Sequence, residues 1–160
     1  MNGDISAAER PARLSTFVHT LVIVTLAAAF VSGVLIWWGQ TWGATEDEFT
    51  MTKRAPDWVK RLLVFHGCLY PIQCGVFGYL IATHFHPGWK QRANLISGVI
   101  TDAFFVGQVV SGLCLYYSGD WRDTFVWVHR LTGAGFPLVL GAHWVLGKKW
   151  AENNKITSCN

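Results

Sequence analysis

Four long apolar stretches, residues 14–38, 62–83, 95–117 and 125–146, constrain this chain more than any other feature of it. Each is close to the ~20 residues that a helix rising ~1.5 Å per residue needs to cross ~30 Å of hydrocarbon. A soluble four-helix bundle would carry a polar stripe along every helix, and none of the four stretches has one. With 51% hydrophobic and only 14% charged residues among 160, a soluble domain of this size lacks the polar surface to cover its apolar content. The expected fold is all-α: one integral membrane domain over residues 1–160, a four-helix bundle. The first stretch is too long, and too weakly preceded by positive charge, for a cleaved signal peptide, and is expected to stay as a span. The polar tail, 148–160, is expected to hold no soluble catalytic domain.

Four spans put both termini on one side. The tails and the loop between spans two and three carry Arg10, Arg13, Lys90, Arg92, Lys148, Lys149 and Lys155; the other loops and their span ends carry Lys53, Arg54, Lys60, Arg61, Arg122 and Arg130. The positive-inside excess is small, and both termini are expected in the cytoplasm mainly because the tail charges sit close to the membrane. The long loop 39–57 then faces outward, rimmed by Trp37, Trp38, Trp42 and Trp58, with Trp121 and Trp127 at the next outer boundary, as an aromatic belt. The acidic run Glu46, Asp47 and Glu48 reads first as solvated loop and second as a docking point for a redox partner.

Imidazole inside hydrocarbon is costly without a partner, so intramembrane histidine is a functional feature by default. Five of the six histidines lie in a span or at its end. His129 and His143 share the fourth span, fourteen residues apart. Fourteen helical residues advance ~21 Å and rotate close to a whole number of turns, so the two point from one face toward two depths. That separation suits two haems, one near each surface. Each iron takes a second axial ligand from another helix. His19 begins an outward-running span and matches the depth of His143; His66 begins an inward-running span and matches His129. The expected assembly is two haem b groups stacked across the bilayer, with His19, His143, His66 and His129 as iron ligands. His84, at the inner end of span two, has a depth like that of His143 and is the rival inner ligand. It precedes Phe85, His86, Pro87 and Gly88, read as helix end and turn.

Glycines keep the same rhythm. Gly33 follows His19 by fourteen residues, and Gly98 and Gly112 are fourteen apart on span three. Residues without side chains let a broad porphyrin approach a helix, and ordinary close helix contact is the competing reading. Arg61 and Arg130 suit propionates of the outer haem, Arg13 and Lys148 those of the inner; snorkelling to headgroups is the alternative. Asp102, inside span three, is placed to carry protons or to bond another helix. There is no CxxCH for covalent haem attachment, no iron–sulfur cysteine spacing, and no nucleotide-binding glycine loop. No nucleic-acid partner is expected.

The segments with Arg13 and His19, with His66 and Gly67, and from His129 to His143 resemble the four-helix cytochrome b module of the bacterial cytochrome b561 family, of nickel–iron hydrogenase cytochrome b subunits and of formate dehydrogenase gamma subunits. The resemblance covers nearly the whole chain. It implies His19 with His143 on the inner haem, His66 with His129 on the outer, and electron exchange with the quinone pool. It implies a quinone near the inner haem, where Gln91 and Asn94 become candidate ligands with His84 or His86 assisting. The implied role is a membrane anchor and electron-transfer subunit in a bacterial cytoplasmic (inner) membrane. Its partners would be quinone or quinol, membrane lipid, and an outer-side catalytic or cytochrome subunit or a second copy of the chain. Two alternatives stand: a free-standing b561-like quinol oxidase feeding a small acceptor, and a mainly structural subunit of a respiratory or photosynthetic assembly.

Overall fold

The computed structural model describes residues 15–46, 53–90 and 94–157. They fall in two compact units, the described residues between 15 and 79 and those between 80 and 157.

In the first unit, α1 spans Thr16–Trp42. The Ser15 hydroxyl starts it by accepting from the Val18 amide at 3.3 Å, satisfying one of the orphan donors of a helix N-terminus. The chain leaves α1 at Gly43, whose N–H bonds the Gly39 carbonyl at 3.1 Å. A minimal antiparallel ladder follows, β1 (Thr45–Glu46) against β2 (Lys53–Arg54), with Thr45 opposite Arg54 and Glu46 opposite Lys53. Asp47 and Glu48 of the acidic run lie outside the described residues. Helix α2 spans Asp57–Leu80. The two helices meet closely at Gly39, where a methyl group would lie 2.5 Å from both Trp58 and Val59. Deeper in, the Gln73 amide donates to the Thr25 carbonyl at 3.2 Å, a polar tie of the kind that joins membrane helices.

In the second unit, a π-helical turn at Ile81–Phe85 leads into α3, His86–Lys90. Pro87 and Gly88 thus continue a helix where a turn is expected from sequence. Pro87 cannot donate to the preceding turn and its ring crowds the carbonyl four residues back; the wider π turn just before it relieves both effects. Asn94 initiates α4, Leu95–Tyr117, from a left-handed conformation (φ 49°) that Asn tolerates better than most residues. A 3₁₀ turn at Gly119–Trp121 then turns the chain into α5, Arg122–Thr157. Helices α4 and α5 pack side by side, with Gly133 against Gln108 and Gly135 against Phe104.

Burial is inverted relative to a soluble protein. The buried positions include Thr25, Ser32, Thr101 and Ser111, while Phe17 is 75% exposed, Leu131 67% and Leu138 77%. Each of those four hydroxyls bonds back to a carbonyl of its own helix, as Thr25 does to Leu21 at 2.8 Å and Thr101 to Ser97 at 2.8 Å, so small polar groups can line helix contacts without stranded donors. Large apolar side chains face outward, where only lipid would match them. The chain is a multi-span α-helical membrane protein.

Among the described residues, three helical segments are long and apolar enough to cross a bilayer: Thr16–Trp42, Asp57–Lys90 and Leu95–Tyr117. The fourth expected span lies within α5, a single 36-residue helix that is less apolar than the others. His129, Arg130, Pro137 and His143 reduce its hydropathy, so the residues that draw functional attention also weaken its signature as a span.

Candidate functional site

The histidine environments are built within each unit by a serine and the glycine after it. In the first unit, Ser32 Oγ on α1 lies 2.7 Å from Nδ1 of His66 on α2. Gly33 meets the same ring: a methyl group there would be 3.4 Å from His66 Cε1. In the second unit, Ser111 Oγ on α4 lies 3.1 Å from Nδ1 of His129 on α5. A methyl at Gly112 would be 3.3 Å from His129 Cε1. One level along, Ser97 Oγ lies 3.0 Å from Nδ1 of His143, with Gly98 facing its Cε1 at 3.6 Å. The fourteen-residue step from Ser97-Gly98 to Ser111-Gly112 thus meets the fourteen-residue step from His143 to His129.

The serine proton bears on the imidazole tautomer. Ser32 Oγ also lies 2.7 Å from the Ala28 carbonyl and 3.0 Å from that of Ala29. A hydroxyl has one proton, and two oxygens at 2.7 Å without a proton between them would repel. Ser32 therefore donates to its own helix and accepts from Nδ1–H of His66. Ser111 and Ser97 have the same second partner, the Gln108 and Asn94 carbonyls, each at 3.1 Å. Where Nδ1 is protonated, the lone pair sits on Nε2.

A further contact supports this assignment at His129. The Gln108 amide nitrogen lies 3.2 Å from Nε2 and can only donate, so Nε2 is the acceptor. Gln108 is oriented by the Thr132 hydroxyl, which donates to its carbonyl oxygen.

The remaining candidates are placed as follows. His19 sits in the first turns of α1 and is exposed; its backbone N–H bonds the Ser15 carbonyl at 3.0 Å. His84 lies in the π turn with its ring 6.2 Å from that of His143 and nearly perpendicular to it. Asn94 donates to the His143 carbonyl at 3.0 Å, with the same nitrogen 3.4 Å from the ring Nδ1. Arg61 is exposed on α2, and Arg130 lies over the Trp127 ring at 5.7 Å. Lys148 sits over Trp144 at 4.0 Å, a pairing typical of an interfacial anchor. Arg13 and Gln91 lie outside the described residues.

Sequence reasoning did not single out Ser32, Ser97, Ser111, Gln108 or Thr132. A usable feature was present: three of the chain's four Ser-Gly pairs lie within apolar spans, the fourth being Ser118-Gly119. Among the described residues no three or more His, Cys, Asp or Glu side chains gather where they could hold a metal ion. No protein-family model, no curated protein and no solved structure matches the chain.

Proposed function

We propose that this chain is a dihaem b-type electron-transfer subunit, passing electrons between the quinone pool and a redox partner on the outer side of a bacterial cytoplasmic membrane. The observation that carries the reading is the repeated Ser-Gly seat. Three imidazoles in apolar helices each meet a serine hydroxyl at Nδ1, an arrangement that favours the tautomer with its lone pair on Nε2, two of them at two depths along α5. A core polar pair has no need of three matched seats, or of a fourteen-residue step repeated on the facing helix.

Haem would supply reversible one-electron chemistry at each depth. By depth along the spans, His66 and His129 take the outer haem and His19 and His143 the inner. Arg61 and Arg130 are the proposed propionate partners at the outer level and Arg13 at the inner. The donor set fits with one adjustment: Gln108 meets the same nitrogen of His129 that iron requires, so its side chain must turn aside on loading. Gly33, Gly98 and Gly112 present no side chain to the Cε1 edge of the three rings. At the inner level the proposed quinone contacts are Gln91, Asn94 and His84. Asn94 already bonds the His143 backbone, which would couple a quinone there to the ligand helix. Both termini are proposed to be cytoplasmic, and the outer partner to be a catalytic or cytochrome subunit.

A second inner ligand is favoured by one specific contact, the 6.2 Å separation of the His84 and His143 rings. Single replacements by Ala, with haem and spectra measured on purified protein, test both readings. His66→Ala or His129→Ala should remove one haem and leave the other; His143→Ala should remove the second. Loss of that second haem with His19→Ala and not His84→Ala supports the proposed pair, and the reverse result moves the ligand to His84. Haem binding indifferent to all five replacements would refute the assignment.

A further inference from the structure

We infer that Ser32, Ser97 and Ser111 are positioning residues that set the electron-donating strength of their histidines, so that each serine tunes the potential of one haem and not the other. The inference rests on the haem reading for its redox consequence, but its structural half does not.

The three contacts share one design. In each, the hydroxyl lies within 3.1 Å of a carbonyl of its own helix and within 3.1 Å of Nδ1, placed to donate to the first and accept from the second. A hydrogen bond accepted from the far nitrogen fixes the ring orientation and makes the ligating nitrogen more basic. A more basic axial ligand favours the ferric form and lowers the potential. Ser32 and Ser111 are each only 2% exposed, so no water replaces the hydroxyl once it is removed. The neighbouring glycine faces Cε1: a methyl at Gly112 would meet it at 3.3 Å, tighter than ordinary contact, and one at Gly33 or Gly98 at ordinary contact distance. The two seats of the outer pair lie on different helices, α1 and α4, so two independent substitutions report on one haem.

Two measurements test it. In haem-free protein labelled with ¹⁵N at histidine, the neutral rings of His66, His129 and His143 should carry their proton on Nδ1; an Nε2–H tautomer at these sites would overturn the assignment whether or not the chain binds haem. In haem-loaded protein, Ser111→Ala and Ser32→Ala should each raise the outer midpoint by about tenfold in the ferric-to-ferrous ratio, about 59 mV for a one-electron couple, and leave the inner one in place. Ser97→Ala should do the reverse, and Ser→Thr at each site, which keeps a hydroxyl, should restore the original value. Thr25→Ala, which removes a buried hydroxyl that faces no histidine, should move neither. If Ser111→Ala fails to fold, Ser32→Ala reads the same haem from the other helix. Potentials unmoved by Ser32→Ala and Ser97→Ala in haem-replete protein, or both haems shifting together, would refute the tuning role. A wild-type chain without b-type bands would overturn the haem reading and the tuning with it, leaving the tautomer result to stand or fall alone.

Discussion

Replacing glycine by alanine at Gly39, Gly98, Gly112 and Gly78 tests how closely the helices are packed, because the added methyl is the same and only its surroundings differ. In a helix interior the change by itself favours folding by roughly 0.5–1 kcal/mol. At Gly78 nothing lies within 4 Å of the new methyl, so that gain should appear undiminished. At Gly98 the nearest atom is His143 Cε1 at 3.6 Å, ordinary contact, and stability should rise by a similar amount. At Gly112 the methyl falls 3.3 Å from His129 Cε1, and rotating the ring off its preferred geometry costs about 0.5–1.5 kcal/mol, so the net change should be near zero. At Gly39 the methyl would stand 2.5 Å from Trp58 and Val59; overpacking of that kind costs about 1–3 kcal/mol. Gly39→Ala should therefore destabilise by about 1–2 kcal/mol after the helix gain is deducted. Reversible unfolding in mixed micelles, followed by tryptophan fluorescence, measures the series. The expected order of stability is Gly78→Ala and Gly98→Ala above wild type, Gly112→Ala level with it and Gly39→Ala below. A Gly39→Ala protein as stable as Gly78→Ala would refute the close approach of α1 and α2 at this level.

Two other outcomes follow from the site. Gly112→Ala should weaken the outer haem while Gly98→Ala leaves the inner one bound, since only the first disturbs its ring; haem content after gel filtration reads the difference. Gln108→Leu removes the amide that competes for Nε2 of His129, a hydrogen bond worth about 0.5–1.5 kcal/mol, so titration of haem into the apoprotein should show up to about tenfold tighter binding at the outer site.

Much of the architecture was legible in the apolar runs because membrane helices must satisfy their backbone internally. The third run, 95–117, coincides with α4, which spans Leu95–Tyr117. The other helices overrun their apolar stretches: α1 continues to Trp42, and α5 from Arg122 to Thr157. Hydropathy marks the part that suits hydrocarbon, whereas helix-forming residues such as Lys148, Lys149 and Ala151 carry the hydrogen-bonded backbone beyond it. The helical continuation at Pro87 was hidden for another reason, since proline ordinarily ends a helix and a π turn leaves no compositional trace.

At the site, the spacing of His129 and His143 and of Gly98 and Gly112 was readable, and the structure sets these two pairs against each other. The role of the serines was not readable. A serine inside a span can bond back to its own helix and needs no partner, so Ser32, Ser97 and Ser111 looked self-satisfied until the opposite ring was in view. Gln108 was equally silent, because its contact with His129 depends on the register of α4 against α5. The glycines, read from sequence as room for a flat cofactor, each face the edge of a histidine ring.

The proposed function requires two haems bound through histidines held at two depths. Haem extracted from the purified, detergent-solubilised protein and quantified against peptide concentration tests it most directly. The account predicts two non-covalently bound haem b groups per chain, with reduced spectra of the b type. A protein that folds, inserts and purifies with no iron and no b-type absorption would contradict it.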